Sequence, residues 1–162
     1  MSDTEIAGME GGCACGKVRY RLKAEPLIVH CCHCSYCQRE TGSAFVINAL
    51  IEMSAVELLG HEPDLINTPS HSGEGQIIAR CSDCRIAVWS HYRAAGQKAA
   101  FIRGGTLDEK SEIAPDVHIY TAAKLPWVTI SDGKPSFEDI YPDPRQVWPS
   151  DSIDRWRAMF KA

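Results

Sequence analysis

Seven of the eight cysteines form three short clusters whose spacings are typical of metal ligands. The clusters are Cys13 and Cys15, then Cys32, Cys34 and Cys37, and finally Cys81 and Cys84. Thiolates bind zinc well, at a sulfur–metal distance of about 2.3 Å. The central C-x-C-x2-C run is the densest of the three, and we expect the chemistry of the protein to be organised around it.

The count of the cysteines suggests two metal sites of different kinds. Two short clusters far apart in sequence commonly combine into a closed site with four thiolates. If the first and last pairs combine, the central run supplies three ligands and leaves a fourth position open to an exogenous ligand. Spacing alone does not identify which clusters meet. Cys31 is left over, so Cys31, Cys32 or His33 could reach a metal beside Cys34 and Cys37.

Four disulfides are the alternative use of eight cysteines. In a reducing compartment, closely spaced cysteines are more often metal or redox sites. The adjacent Cys31 and Cys32, like the C-x-C pair, are poorly suited to the Cα separations that disulfides need. We therefore predict zinc as the cofactor, with two ions per chain.

Composition limits the remaining classes of function. The 162 residues include 44% hydrophobic and 23% charged residues, which is ordinary for one globular domain with a core. A net charge of −4, without adjacent Lys or Arg residues, argues against a nucleic-acid partner. The chain has no signal-peptide pattern and no apolar run near the ~18 residues of a membrane span. We expect a cytoplasmic protein without a membrane partner; its oligomeric state is not indicated.

Short strands dominate the predicted secondary structure. Val18, Tyr20 and Leu22 alternate with arginines, which is typical of a half-buried strand. We predict strands at 17–22, 27–29, 44–51, 54–59, 64–68, 76–79, 86–92, 98–102, 117–120 and 127–130, and a short helix at 153–161. The strands that flank Cys81 and Cys84 predict a zinc-ribbon knuckle. The fold class is therefore mainly β, in one domain.

These motifs resemble those of the glutathione-dependent formaldehyde-activating enzyme family, also called the GFA or centromere-protein-V family. The resemblance rests on residues 11–20 (GGCACGKVRY), 33–39 (HCSYCQR) with 41–43 (TGS), 81–84 (CSDC) with Val88-Trp89, 105–108 (GTLD), and 115–119 with His118. It covers residues 11–130, and residues 131–162 are expected to be a C-terminal extension packed on the same domain.

The resemblance implies a fold, ligand sets and an activity. The fold is a β-tent, in which small antiparallel sheets meet around zinc. The implied structural ligands are Cys13, Cys15, Cys81 and Cys84. The implied second site uses Cys32, Cys34 and Cys37, with its fourth position open to a substrate sulfur. The family joins glutathione to formaldehyde and gives S-(hydroxymethyl)glutathione.

We accordingly expect a zinc-dependent enzyme of the carbon–sulfur lyase type that acts on glutathione or another thiol. If Cys31 or a histidine closes the second site, both zinc ions are structural. The alternatives are then a non-catalytic zinc domain for a thiol ligand or a protein partner, and a zinc-thiolate redox sensor. An exchangeable ligand on the second zinc would distinguish the enzyme from these alternatives.

Residues beside the central run are candidates for contact with substrate. Arg39 could bind a carboxylate of glutathione, and Thr41 and Ser43 could donate hydrogen bonds. A solvated arginine and a helix cap are the alternatives. Among the histidines, His30 and His33 could transfer a proton, or could simply be packed. Three aromatic residues could line a pocket or belong to the core: Trp89, Tyr120 and Trp127.

Overall fold

The computed structural model describes residues 5–161, and this part of the chain is mainly β. It contains ten strands and two α-helices. The strands are β1 (Glu10–Gly12), β2 (Arg19–Leu22), β3 (Ile28–Cys32), β4 (Val46–Glu52), β5 (Val56–Leu58), β6 (Asp64–Thr68), β7 (Gln76–Arg80), β8 (Ala87–Tyr92), β9 (Ala99–Arg103) and β10 (Val117–Ile119). The helices are α1 (Ser35–Thr41) and α2 (Ser150–Ala158). None of the described helices is long and apolar enough to cross a membrane.

The strands form a three-stranded and a seven-stranded sheet. The small sheet has the order β1-β2-β5, and the large sheet has the order β10-β3-β4-β9-β8-β7-β6. β10 pairs with β3 in parallel, whereas the other strand pairs are antiparallel. The parallel pairing aligns His118 with Cys31, although 87 positions of sequence separate them. Strand pairing therefore brings a late segment of the chain beside the central cysteine run.

The first hydrophobic core lies between the two sheets. Alternation along β2 buries Tyr20 and Leu22 in this core, against the large sheet. The ring of Tyr20 packs edge-on against Trp89, with 5.9 Å between the ring centroids. The Tyr20 hydroxyl lies 2.7 Å from Oγ1 of Thr106, so its polar atom is satisfied although the side chain is fully buried.

A second core contains residues of β3, β4 and the C-terminal segment. Tyr141 is buried in it, and Trp148 and Trp156 pack against it. Helix α2 is attached to the large sheet by Arg155, whose Nε and Nη2 donate to Oε1 and Oε2 of Glu52 at 2.8 and 2.6 Å. Residues 131–161 therefore contribute both buried side chains and a half-buried ion pair.

Helix α1 begins and ends at well-defined caps. The backbone N–H of Cys37 donates to Sγ of Cys34 at 3.3 Å, so a cysteine side chain takes the usual place of a capping oxygen. The helix ends at Gly42, whose φ of 67° lies in the left-handed region that glycine tolerates. The short helix brings Cys37 back toward Cys32 and Cys34.

The mainly-β prediction is confirmed, with several differences in detail. The predicted strand at 127–130 is wrong, because the backbone N–H of Val128 donates to Leu125 O in a turn. The terminal helix was predicted to begin at Ile153, but it begins at Ser150 and ends at Ala158. β1 and α1 were not predicted. β1 is only three residues long, and the segment of α1 was interpreted from the spacing of its cysteines as ligands rather than from helical periodicity.

Candidate metal centres and the adjoining cavity

The first candidate metal centre combines the two distant cysteine pairs. The Sγ atoms of Cys13, Cys15, Cys81 and Cys84 all lie within 4.8 Å of one another. Sγ of Cys15 is 3.5 Å from Sγ of Cys13 and 3.6 Å from Sγ of Cys81. The cluster therefore connects the β1–β2 hairpin of the small sheet to the β7–β8 hairpin of the large sheet. Four thiol groups at such separations fit a closed tetrahedral zinc site.

Backbone N–H groups support both halves of this centre. Val18 N–H donates to Sγ of Cys13 at 3.3 Å, and Asp83 N–H donates to Sγ of Cys81 at 3.4 Å. Such bonds stabilise thiolates and orient them toward a metal. Each hairpin turn needs one residue with positive φ, Gly16 at 79° and Arg85 at 63°. The donor set and its supporting hydrogen bonds fit zinc.

The second candidate metal centre is the central run. Its sulfurs, from Cys32, Cys34 and Cys37, lie within 4.8 Å of one another, and all three residues are buried. Sγ of Cys37 is 3.5 Å from Sγ of Cys32. Cys32 is the last residue of β3, and α1 supplies the turn that returns the chain to it. The end of a strand and the first turn of a helix thus form a three-thiol cluster.

Hydrogen bonds within this cluster determine its charge in the absence of a metal. Hydrogen bonds from the thiols of Cys32 and Cys37 lower the pKa of Cys34 to about 2. The same contact with Cys34 raises the pKa of Cys32 well above its ordinary value. One thiolate is thus shared between two protonated neighbours. A divalent thiophilic cation would replace those two protons, so the donor set fits zinc.

A third cluster of possible ligands lies on the opposite face of β3. It contains Cys31, His33 and His118, all of them buried. His33 Nε2 is 3.5 Å from Sγ of Cys31 and 3.1 Å from Nδ1 of His118. Nε2 of His118 is in turn 2.8 Å from Oδ2 of Asp132. Side chains alternate along a strand, so Cys31 faces away from Cys32.

Burial makes Cys31 an unreactive thiol. Desolvation, with a smaller contribution from the charge of Asp132, raises the pKa of Cys31 to about 12. The thiol is therefore protonated near neutral pH, and only 2% of the residue is exposed. The sequence alone left open whether Cys31 or His33 joins Cys34 and Cys37 in one metal site. In the structure, neither residue groups with them.

A cavity of about 430 Å³ adjoins the second candidate centre. Cys32 and Cys34 form part of its wall. Much of the remaining wall is aromatic, and β8, β9 and the segment after β10 contribute Tyr92, Phe101 and Tyr120. A volume of this size is in the range of small-molecule sites. Two of the three clustered cysteines are therefore next to a space in which a ligand could fit.

The C-terminal segment closes one side of this cavity. Tyr141, Trp148 and Trp156 all line it. Trp148 Nε1–H donates to the Tyr141 hydroxyl at 2.6 Å, and a 2.7 Å hydrogen bond joins that hydroxyl to Nε2 of His30. The ring of His30 also stacks on Phe101 and on Tyr141. A connected set of aromatic and polar groups thus faces Cys32 and Cys34.

The three predicted substrate contacts lie outside the wall of this cavity. Arg39 and Ser43 are exposed and are not among the residues that line it. Thr41 lines a separate cavity, and its hydroxyl donates to the carbonyl oxygen of Cys37 at 2.8 Å. The Thr41 hydroxyl thus acts within its own helix, and all three residues remain proposals as substrate contacts.

The predicted histidines and aromatic residues divide between cavity, core and surface. His30 and Tyr120 line the cavity, whereas His33 lies in the third cluster. Trp89 belongs to the core between the sheets. Trp127 is 73% exposed, so it belongs neither to that core nor to the cavity wall.

Sequence reasoning missed the contribution of the C-terminal segment to the cavity. Residues 131–162 carry no cysteine and no motif, and strand periodicity is absent. The available signal was composition, since the segment contains two of the four tryptophans together with Tyr141. Aromatic side chains in a segment without its own core must pack on the rest of the domain.

Of three comparisons with known proteins, the one with family models identifies a family. No curated protein matches the chain. Among solved structures, a crystal structure of a Rhodobacter sphaeroides protein matches with a TM-score of 0.47 and 21% identity, over 62% of this chain and 89% of that chain. A family model described as glutathione-dependent formaldehyde-activating enzyme matches residues 8–123, which contain all three cysteine clusters. This chain is therefore a member of the glutathione-dependent formaldehyde-activating enzyme (GFA) family.

Proposed function

We propose that the protein is a zinc-dependent enzyme that joins a thiol to formaldehyde or a related small electrophile. The observation that carries the proposal is the position of Cys32 and Cys34, which belong to a three-thiol cluster and also line a cavity. Family membership supports an enzyme that uses a thiol substrate, and the family description names glutathione and formaldehyde. S-(hydroxymethyl)glutathione synthase activity is therefore the first reaction to test.

The two candidate centres would have different roles. A zinc ion with four thiolates has a net charge of about −2 and is a poor Lewis acid, so the Cys13, Cys15, Cys81 and Cys84 site is structural. Three thiolates give a net charge of about −1 and leave one position for an incoming ligand. Zinc held by Cys32, Cys34 and Cys37 would supply a Lewis acid that lowers the pKa of a substrate thiol.

The reaction balances without a redox partner. A carbon–sulfur bond forms between the thiol and the carbonyl carbon, and the carbonyl π electrons move to oxygen. The proton lost by the thiol ends on that oxygen, which gives a hydroxymethyl thioether. The reverse reaction is a carbon–sulfur lyase reaction.

The residues of the cavity would position the reactants and supply a proton donor. The hydroxyl of Tyr141 lies on the cavity wall, and desolvation raises the pKa of this group to about 12, so it is protonated near neutral pH. Its partners His30 and Trp148 hold it in place. A large part of such catalysis comes from the placement of reactants beside the proton donor.

Arg39, Thr41 and Ser43 are retained as proposed contacts for glutathione. Arg39 belongs to α1, the helix whose Tyr36 lines the cavity. Its exposed guanidinium would bind a glutathione carboxylate in solvent outside the cavity. In this arrangement, the sulfur would lie in the cavity and a charged end of the tripeptide would remain in water.

Exchange NMR tests the proposed reaction directly. Zinc-loaded protein should accelerate exchange between free glutathione and its formaldehyde adduct, and Cys34→Ser should abolish the acceleration. Cys31→Ser is the matched control, since Cys31 faces away from the cluster, and it should retain the rate. An unchanged rate with wild-type protein would remove glutathione–formaldehyde activity.

The alternatives predict other outcomes. A non-catalytic thiol-binding domain would bind the thiol without accelerating exchange. A redox sensor would release zinc from the central run when the thiolates are oxidised. The burial of the two cysteines favours a small-molecule ligand over a protein partner, because a protein surface cannot reach Cys32 or Cys34, which are 5% and 4% exposed.

A further inference from the structure

We infer that the cavity beside Cys32 and Cys34 takes a thiol with an uncharged, aromatic body. That the ligand carries a thiol rests on the proposed function. The character of its body rests on the cavity alone. The product of the same reaction would be the hydroxymethyl thioether of this thiol.

The walls of the cavity are aromatic on several sides. Tyr92 and Phe101 lie on the side of the large sheet. The centroids of their rings are 4.9 Å apart, and the ring planes are inclined at 80°. Tyr141, Trp148 and Trp156 lie on the side of the C-terminal segment. The rings of Trp148 and Trp156 also pack edge-on against each other, with 5.6 Å between their centroids. Walls of this kind bury the faces and edges of a flat apolar ligand.

Among the described residues 5–161, no Lys, Arg, Asp or Glu lines the cavity. Glutathione carries two carboxylates and one ammonium group. A carboxylate in this cavity would lose water without gaining a cationic partner, which is unfavourable. The interior therefore selects against the charged ends of glutathione.

Part of the aromatic wall lies outside the family match. The family match ends at residue 123, whereas Tyr141, Trp148 and Trp156 come later in the chain. The cysteine clusters lie inside the match. The cluster is thus encoded within the family match, whereas one side of the cavity is encoded outside it, so the thiol can differ from the one in the family description.

One polar atom among the lining residues lacks a partner. Oε1 of Gln76 is buried without a hydrogen-bond partner among the described residues. Nε2 of the same side chain donates to the carbonyl oxygen of Pro69 at 3.1 Å, which fixes the amide. A buried acceptor without a partner is uncommon in proteins. Gln76 lines both this cavity and a neighbouring one, so it marks a polar part of the wall where the two cavities adjoin.

Binding and exchange measurements on the zinc-loaded, full-length protein test this inference with benzyl mercaptan and glutathione. We expect benzyl mercaptan to bind at least about tenfold more tightly by calorimetry, because its ring is buried and it has no carboxylate to desolvate. Glutathione binding as tightly as benzyl mercaptan would overturn the inference.

A charge placed at the edge of the cavity provides the matched test. Ile140 lines the cavity and is 46% exposed, so Ile140→Arg should fold and should reduce the preference for benzyl mercaptan over glutathione by about tenfold. Ile66 lies on β6 away from the cavity and is 40% exposed. Ile66→Arg should leave the preference unchanged. An unchanged preference in Ile140→Arg would show that the ligand binds elsewhere.

The two hypotheses fail in different ways. If benzyl mercaptan binds more tightly but neither thiol exchanges faster with its formaldehyde adduct, the proposed function is wrong and the inferred ligand class stands. If only glutathione exchanges faster, the proposed function stands and the inference is wrong.

Discussion

Cys31 and Cys32 are adjacent in sequence, but they belong to separate clusters on opposite faces of β3. Cys31 groups with His33 and His118, whereas Cys32 groups with Cys34 and Cys37. The alternation of side chains along a strand produces this separation. Only the face of Cys32 adjoins the aromatic cavity. The two neighbouring thiols therefore differ in environment and should differ in response to mutation.

Metal content should distinguish these two cysteines. Cys34→Ser removes one of three thiolates from the second candidate centre, so we expect about one zinc fewer per chain with the fold retained. Cys31→Ser should retain the wild-type zinc content, because this residue does not belong to either cysteine-only cluster. Elemental analysis of the purified variants measures the difference. Loss of one zinc from Cys31→Ser would contradict the assignment of ligands.

The four-cysteine centre should control folding rather than reactivity. Cys81 is fully buried and its cluster links the two sheets, so Cys81→Ser should abolish cooperative unfolding by loss of the zinc that we propose binds there. Circular dichroism during thermal denaturation measures this effect. If Cys34→Ser and Cys81→Ser lose cooperative unfolding to the same degree, the two centres do not differ in role.

Gly12 should be intolerant of a side chain. A Cβ atom at this position would lie 2.2 Å from the carbonyl oxygen of Val18, which is a backbone atom that cannot rotate away. We expect Gly12→Ala to lower the free energy of unfolding by about 1–3 kcal/mol and to displace the neighbouring Cys13. Urea denaturation measures the change. Gly105→Ala is the control, because nothing lies within 4 Å of its Cβ, and an equal loss there would contradict the steric explanation.

The ion pair between Arg155 and Glu52 should hold α2 against the cavity. Arg155→Lys keeps the charge but loses the paired geometry, so we expect the free energy of unfolding to fall by about 1 kcal/mol. The amides of α2 should also exchange faster with deuterium, and ligand binding should weaken because Trp156 lies on the same helix. Arg157→Lys is the control, since Arg157 and Asp154 are 4.0 Å apart and largely exposed. Equal effects in both variants would show that the pair does not attach the helix.

Local patterns predicted much of the structure. Alternation at Tyr20 and Leu22 predicted a strand that buries one face, and β2 has this form. The spacing of the cysteines suggested the grouping of four and three that the clustered sulfurs show. These features were accessible because each depends on neighbours a few residues apart, or on ligand types that combine in few ways.

Long-range features could not be predicted in this way. His118 reaches Cys31 because β10 pairs in parallel with β3, and no local pattern specifies that pairing. Tyr141 and Trp148 reach the cavity because their segment has no core of its own and covers the second core. Tertiary packing decides each of these positions.

The central claim is that a metal held by Cys32, Cys34 and Cys37 has a position that an external thiol can occupy. Replacement of zinc by cadmium-113 tests it directly, since each centre should give its own NMR resonance. On addition of a thiol, we expect one resonance to move while the other stays fixed, and Cys34→Ser should remove only the resonance that moves. Two resonances that both stay fixed at saturating thiol would contradict the account, because both centres would then be closed.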